Sequence, residues 1–321
     1  QYTVSDGVLK MTAQLMPIGS DDGQTVVLET QQAGGWKEVA RSRVVYPGFT
    51  APLRVESWDA SRDTPYRLRY DLTTSEGKQR CYWQGTVRRD PVDKTTIVVA
   101  GLTGNHNCRH GFGKKGYPWN ANALWFPHQD LVQRVRQHDP DLLFFSGDQV
   151  YEGGSPTYAD RSGYEGSYLD YLYKWYLWCW AFGDLARNRP CICIPDDHDV
   201  YQGNLWGQGG RKSPDRDHDG GYVLPAEFVR MVERTQTSHL PDPFDPTPIQ
   251  RGIGVYYTNL TVGRISFAII EDRKFKTGPD SILPDMGWRA PRPDHIAIPD
   301  YDPQKLDVPE AKLLGDRQLA F

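Results

Sequence analysis

Near residue 93 the apolar residues change their spacing, and that change separates two kinds of fold within one chain. Before it, short runs alternate apolar and polar side chains: "TVVLET", "WKEVARSRVV", "PYRLRYDLTT" and "QRCYWQGTVRR", divided by the turn signals "DDG", "AGG" and "SEG". A period of two buries one strand face and wets the other, the pattern of an antiparallel sandwich. After "RRDPVDK" (88–94), which reads as a linker, "TTIVVAG" (95–101) is continuously apolar and β-branched, as in a strand covered on both faces. "DLLFFSG" (141–147) and "PCICIP" (190–195) repeat that pattern. Between them, "LWFPHQDLVQRVRQHDP" places Leu131, Val135 and His138 at helical spacing, and "SYLDYLYKWYLWCWAFGDLARN" reads as a second helix. "GVYYTNLTVGRISFAIIED" (254–272) reads as a hairpin turning near Gly263. The expectation is an all-β sandwich over 1–92 and an α/β domain over 93–321, with its ligand site at the strand carboxyl ends.

Composition narrows the function. Of 321 residues, 38% are apolar and 24% charged, with a net charge of −4, as in an ordinary soluble globular protein. The balance lacks the basic excess of a nucleic-acid binder. Five Cys, an odd number in a long chain, do not make a disulfide framework. Cys179, Cys191 and Cys193 lie in apolar runs and are expected buried and unbridged. The most membrane-like run, 168–186, carries Asp170, Lys174 and Asp184, too many charges for a span of about 18–20 residues. The chain begins at Gln1 without an initiator Met, which reads as a processed or trimmed chain in which an export signal would not be visible; the expected location is extracellular or periplasmic. Nothing indicates an oligomeric state.

Three expected strand ends carry polar clusters. "GLTGNHNCRHG" offers Asn105, His106, Asn107, Cys108 and His110; "GDQVYEGG" offers Asp148, Tyr151 and Glu152; "PDDHDVYQGN" offers Asp196, Asp197, His198, Asp199 and Asn204. The hairpin ends in Glu271-Asp272-Arg273. A lone Asp at a strand end more often caps a helix or closes a turn. Three such clusters at successive ends of one sheet converge on one cleft, where acidic groups repel unless a cation joins them. Carboxylate, amide, phenolate and imidazole donors suit Fe, Mn, Ca or Mg.

"FFSGDQVYE" followed by "PDDHDV" resembles the alkaline phosphatase D (PhoD-like) branch of the metallophosphoesterases. "IIEDRKFK" is similar to that branch's hairpin strand with a DTR-like end, and "AKLLGDRQLAF" to its LGxxQ helix. The resemblance covers most of 93–321 and implies a four-layer fold of two β-sheets flanked by helices, preceded by a fibronectin-like sandwich. It implies a metal-dependent hydrolase of small phosphate esters, a phosphodiesterase or phosphomonoesterase using a metal-activated water. Asp148 would bridge the metals, Tyr151 would bind as a phenolate and Asp197 would hold the second metal. His198 would act on the phosphoryl group, and Arg273 would stabilise charge. The implied centre is binuclear or multinuclear, Fe3+ with Ca2+, with Mn2+ and Zn2+ as further candidates. The family's Ser-Cys pair at the first strand end is missing, since Leu102 and Thr103 fall there; Asn105 and Cys108 are the candidate replacements. The family's last ligand block also lacks a counterpart before Phe321, so the catalytic domain reads as truncated. The alternatives are a catalytically incomplete, ligand-binding relative and a hydrolase of sulfate or similar esters.

Other signals are weaker. "SPDRDHDGGY" resembles the start of a calcium loop through Asp215, Asp217, Asp219 and Gly220, but Ala226 stands where a bidentate Glu belongs. "NLT" (259–261) matches a glycosylation sequon within an expected strand. His128 is a candidate for the cleft wall, against a helix-packing role.

Overall fold

The alternating runs form seven antiparallel strands in the computed structural model, which describes residues 1–107, 126–214, 219–278, 282, 300 and 302–321. Strands β1 (Tyr2–Ser5), β2 (Val8–Gln14) and β5 (Thr50–Val55) make one sheet in the order β1-β2-β5. Strands β3 (Thr25–Gln32), β4 (Gly35–Arg43), β6 (Thr64–Thr74) and β7 (Gly77–Val87) make another in the order β4-β3-β6-β7. Leu9, Met11 and Leu53 of the first sheet and Val26, Leu28 and Tyr66 of the second share one apolar cluster. The register keeps those side chains on the inward faces, since a one-residue slip would turn them all to water.

The continuous runs form a parallel sheet of β8 (Val99–Leu102), β9 (Leu142–Phe145) and β10 (Cys191–Cys193), ordered β10-β9-β8. One face, with Leu143, Phe145, Cys191 and Cys193, packs on the helices. The other, with Leu142 and Ile192, packs on Leu260, Val262 and Ile269 of the hairpin β11 (Tyr257–Val262) and β12 (Ile265–Ile270). Covering on both faces is what lets β9 and β10 do without polar alternation. Strand β8 departs from the expectation: it lies at the sheet edge, and Val99 is 41% exposed.

Helix α1 (Gln129–Gln137) buries Val132 and leaves Leu131 46% exposed, so its inward stripe runs through Val132 and Val135 instead of Leu131 and His138. Helix α2 (Tyr164–Ala186) buries Tyr168, Tyr171, Trp175, Trp178, Phe182 and Leu185, spaced by three and four. Its Trp175 and Trp178 rings stack at 4.6 Å. No described helix is long and apolar enough to cross a membrane. Helix α3 (Ala226–Thr237) lies where the quoted motifs gave no element; Phe228, Val229, Val232 and Thr235 form its buried stripe. A last short helix, α4 (Asp316–Leu319), closes the chain. The whole is a mixed α/β fold with several antiparallel sheets and few helices.

The N-terminal sheets dock on the helices through specific bonds. Trp175 Nε1 donates to Gln14 Oε1 at 3.1 Å, Tyr176 Oη to the Leu15 carbonyl at 2.7 Å and Thr3 Oγ1 to the His239 carbonyl at 2.5 Å. Phe49 inserts into the helix-side core. Among the described residues Cys81, Cys179, Cys191 and Cys193 are free; Cys191 and Cys193 are buried, whereas Cys179 is half-buried.

Candidate metal centre

The parallel strands end level, with Leu102 opposite Phe145 and Phe145 opposite Cys193. Three loops therefore leave the sheet together. Gly104 N donates to the Gly147 carbonyl at 3.2 Å and Asn105 N to the Asp148 carbonyl at 2.8 Å, joining the first loop to the second. The second meets the third at Gly147, whose φ of 121° and contact with Asp196 leave no room for a Cβ. Asp148 itself takes the left-handed conformation, φ 59°, which non-Gly residues adopt mainly where surrounding contacts enforce it.

Those contacts come from Asp199. Its Oδ2 accepts from Asp148 N and Asp196 N, each at 2.8 Å. Its Oδ1 accepts from Val150 N at 3.1 Å and from Gln236 Nε2 of α3 at 2.9 Å. Asp199 is fully buried, and burial pushes its carboxyl pKa up to about 7. Gln149 extends the network, donating to the Ile194 carbonyl at 3.0 Å and to Gln236 Oε1 at 2.9 Å. A buried carboxylate with four donors fixes two loops in one frame.

On that frame Asp148, Asp197 and His198 each offer one ligand atom, all within 4.8 Å of one another. Tyr151 Oη donates to Asp148 Oδ2 at 2.9 Å, and its ring centre lies 4.7 Å from that of His106 and 4.4 Å from that of His198. His198 Nδ1 pairs with Glu152 Oε2 at 2.7 Å, while Glu152 Oε1 accepts from Gly203 N at 3.0 Å. Asp197 accepts from His198 N and from Asn204 N, both at 2.8 Å. Arg273 Nε sits 2.5 Å from Asp196 Oδ1, and Nη1 3.5 Å from Asp197 Oδ2.

The electrostatics follow from this crowding. Burial opposes protonation of His198, but Glu152, Asp197 and Asp148 outweigh it and carry its pKa up to about 9. Burial, then the Asp197 charge, pushes Asp148 upward. Burial acts the same way on Asp197, yet Arg273 and His198 hold it below the usual carboxylate range.

These residues fit a cation. Asp148 Oδ1 is buried without a hydrogen-bond partner, as is Asn105 Nδ2 beside it in the first loop. Leaving a buried carboxylate oxygen unsatisfied costs roughly 1–3 kcal/mol or more, a cost that a bound cation removes. Glu152 on Nδ1 fixes the ring and leaves His198 Nε2 as the ring atom toward the carboxylates, 4.0 Å from Asp197 Oδ1.

Asp148, Tyr151, Asp197, His198 and Arg273 therefore come together, with Asn105 at their edge. Cys108 and His110 lie outside the described residues, as do Asp215 and Asp217 of the calcium-like loop. Asp219 turns its carbonyl to Arg211. Asn107 Oδ1 pairs with His128 Nε2 at 3.0 Å, so these two engage each other. Glu271 stands apart from the cluster: it is buried, accepts from Tyr256 N at 2.9 Å and lies 3.3 Å from Lys274 Nζ. Asn259 is exposed on β11. Sequence reasoning placed Glu152 and Asp199 at the strand ends without separate roles; nothing in "DDHD" tells a frame-holding Asp from a ligand. Gln236 carried no signal, since α3 itself was unassigned.

No protein-family model matches this chain, and no curated protein matches it. Among solved structures the chain is similar to a purple acid phosphatase from yellow lupin (Lupinus luteus) seeds, with a TM-score of 0.51 and 14% identity over 95% of this chain and 48% of that one. The chain thus spans about half the length of that protein, and the likeness is one of fold. A chain from a complex of ICOS with ICOS-L and a VNAR domain aligns with 27% of this chain at a TM-score of 0.21 and 8% identity, too low to carry an argument.

Proposed function

We propose that this chain is the metal-binding part of a phosphoester hydrolase acting on small phosphate esters. The observation that carries the reading is Asp148 Oδ1, buried and unpartnered within a set of donors spanning less than 4.8 Å. The purple acid phosphatase fold supports it, as does the likeness of "FFSGDQVYE" and "PDDHDV" to the PhoD-like branch. In this reading residues 1–92 are a β-sandwich domain and 93–321 belong to a four-layer catalytic domain.

Asp148, Tyr151 and Asp197 would hold the cations, with Asn105 and Cys108 as first-loop candidates. Iron with calcium, once bound, would neutralise phosphoryl charge and acidify a water. Glu152 fixes the His198 ring through Nδ1, which leaves Nε2 to hold a proton for the leaving-group oxygen. Arg273 braces Asp196 and Asp197 against mutual repulsion. Tyr151 Oη, which donates to Asp148 Oδ2, would have to give up that proton to serve as a phenolate ligand.

The test is elemental analysis of the purified protein, with hydrolysis of p-nitrophenyl phosphate and its bis-ester before and after chelation. Ester turnover that disappears on chelation and returns with Fe3+ and Ca2+ is expected. Protein that binds no cation and cleaves neither ester refutes the reading; cation binding without turnover would point to a ligand-binding, catalytically incomplete relative.

A further inference from the structure

Arg273 has little charge left for a substrate. Besides its ion pair with Asp196 Oδ1, Nη2 donates to Asp196 Oδ2 at 3.0 Å, and Asp197 and Asp272 lie 3.5 and 3.6 Å from Nη1 and Nε. Three carboxylates around one guanidinium make it a strut of the site. Lys274, next along the segment, is buried and paired with Glu233 and Glu271; the cation after it is Lys276, and its surroundings differ. It is half-buried, and among the described residues no carboxylate lies within ion-pair distance of its ammonium. Its Nζ stands 5.9 Å from the centre of the buried Trp206 ring.

The backbone there is fixed. Gly207 N donates to the Arg273 carbonyl at 2.9 Å, Gly209 N to the Lys274 carbonyl at 3.0 Å and Gln208 N to the Lys276 carbonyl at 3.1 Å. A Cβ at position 207 would lie 2.6 Å from the Arg273 and Lys274 carbonyl oxygens, so only glycine allows the two segments this close. Burial and then Arg273 press the Lys276 pKa down, while Asp272, Asp196 and Asp197 act against them. Trp206 continues the third loop two residues past Asn204, whose N donates to Asp197 Oδ2 at 2.8 Å, so the Lys276 segment runs beside the loop that carries the candidate centre. A half-buried ammonium beside that loop, held on an aromatic face and without a carboxylate partner among the described residues, suits an anion from outside.

We propose that Lys276 is a specificity-determining residue, binding a second anionic group of the substrate. The substrate class is then a phosphate ester that also carries a carboxylate or another phosphate. This rests on the phosphoester reading above. Phosphoglycolate and ethyl phosphate differ by one carboxylate and serve as the probes, with dissociation constants measured calorimetrically on the metal-loaded protein. Wild type should bind phosphoglycolate roughly tenfold more tightly, the scale of one charge-assisted hydrogen bond. Lys276→Gln should bring the ratio near one, and Lys276→Arg should restore it. Because the readout is a ratio within one variant, general loss of folding cannot imitate it. An unchanged ratio in Lys276→Gln, or no preference in wild type that cleaves the bis-ester, overturns the inference alone. Wild type that neither cleaves esters nor binds either phosphate overturns the phosphoester reading, and the inference with it.

Discussion

Asp148 and His198 share the site, but their bonds give them different duties. Asp148 carries the unsatisfied buried oxygen, so Asp148→Asn should lower bound metal together with turnover, measured by elemental analysis beside bis-ester kinetics. His198 already has one nitrogen on Glu152, so His198→Ala should keep most of the metal and lose roughly 10²–10⁴-fold in turnover. Metal retained in the first variant, or full activity in the second, contradicts the assignment. The cysteines give a separate test. Burial pushes the Cys179 and Cys191 thiols up to about 12, and Cys193 likewise upward. Thiolate is the reactive form, so mass spectrometry after brief native labelling at mild alkaline pH should find these three unmodified. At this scale the motif residues were legible, because carboxylate and imidazole chemistry is written in the residue types. Which of Asp196, Asp197 and Asp199 faces Arg273, which a cation and which the backbone was not, since adjacent letters look alike until the loop bends.

Among elements, α3 deserves more than its share of the sequence would suggest. Gln236 reaches Asp199, Gln149 and Tyr171, at 2.9, 2.9 and 3.2 Å, and so links this helix to two site loops. Gln236→Leu would take one of two partners from Asp199 Oδ1 and from Gln149 Nε2, leaving Val150 N and the Ile194 carbonyl, at a cost of roughly 1 kcal/mol for each buried bond lost. The expected result is a urea midpoint shifted down with metal affinity weakened, because both depend on one frame. Unchanged stability would show that the network is dispensable. Strand periodicity announced β9, β10 and the hairpin correctly, as their runs are continuous or strictly alternating. It misjudged the stripe of α1, where Leu131 and Val132 are both apolar and only the neighbouring sheet decides which turns inward. The apolar run of β8 likewise could not reveal an edge position, which depends on what pairs beside it.

For the molecule as a whole, the N-terminal sheets and the helix-side core are bound tightly enough to depend on each other. Phe49 enters that core, while Gln14, Leu15 and Thr3 accept or donate across the junction. Residues 93–321 expressed alone should therefore expose Trp175, Tyr176 and their apolar neighbours and bind a hydrophobic dye, with a thermal transition broadened or lost. A cooperative transition equal to that of the full chain would show the junction to be dispensable. The single-residue counterpart is Tyr176→Phe, which removes one junction bond and should cost about 1 kcal/mol in denaturant titration.

Apart from α3, the sequence by itself determined the types of the main elements, and it determined the chemistry at the strand ends. Periodicity fixes which face of a strand is apolar, and "GDQVYE" and "PDDHDV" bring their donors wherever those strands stop. Tertiary structure decided the rest, because it depends on groups far apart in the chain. Leu102, Phe145 and Cys193 finish level only once three strands pair. Asp199 acquires its role only when Gln236, 37 residues away, arrives on a packed helix. Arg273 is paired with Asp196, and Lys276 is left without a carboxylate partner among the described residues, by the folding of the hairpin exit against the third loop. Local letters set what each residue can do; long-range contacts, which no local pattern encodes, set what each is left free to do.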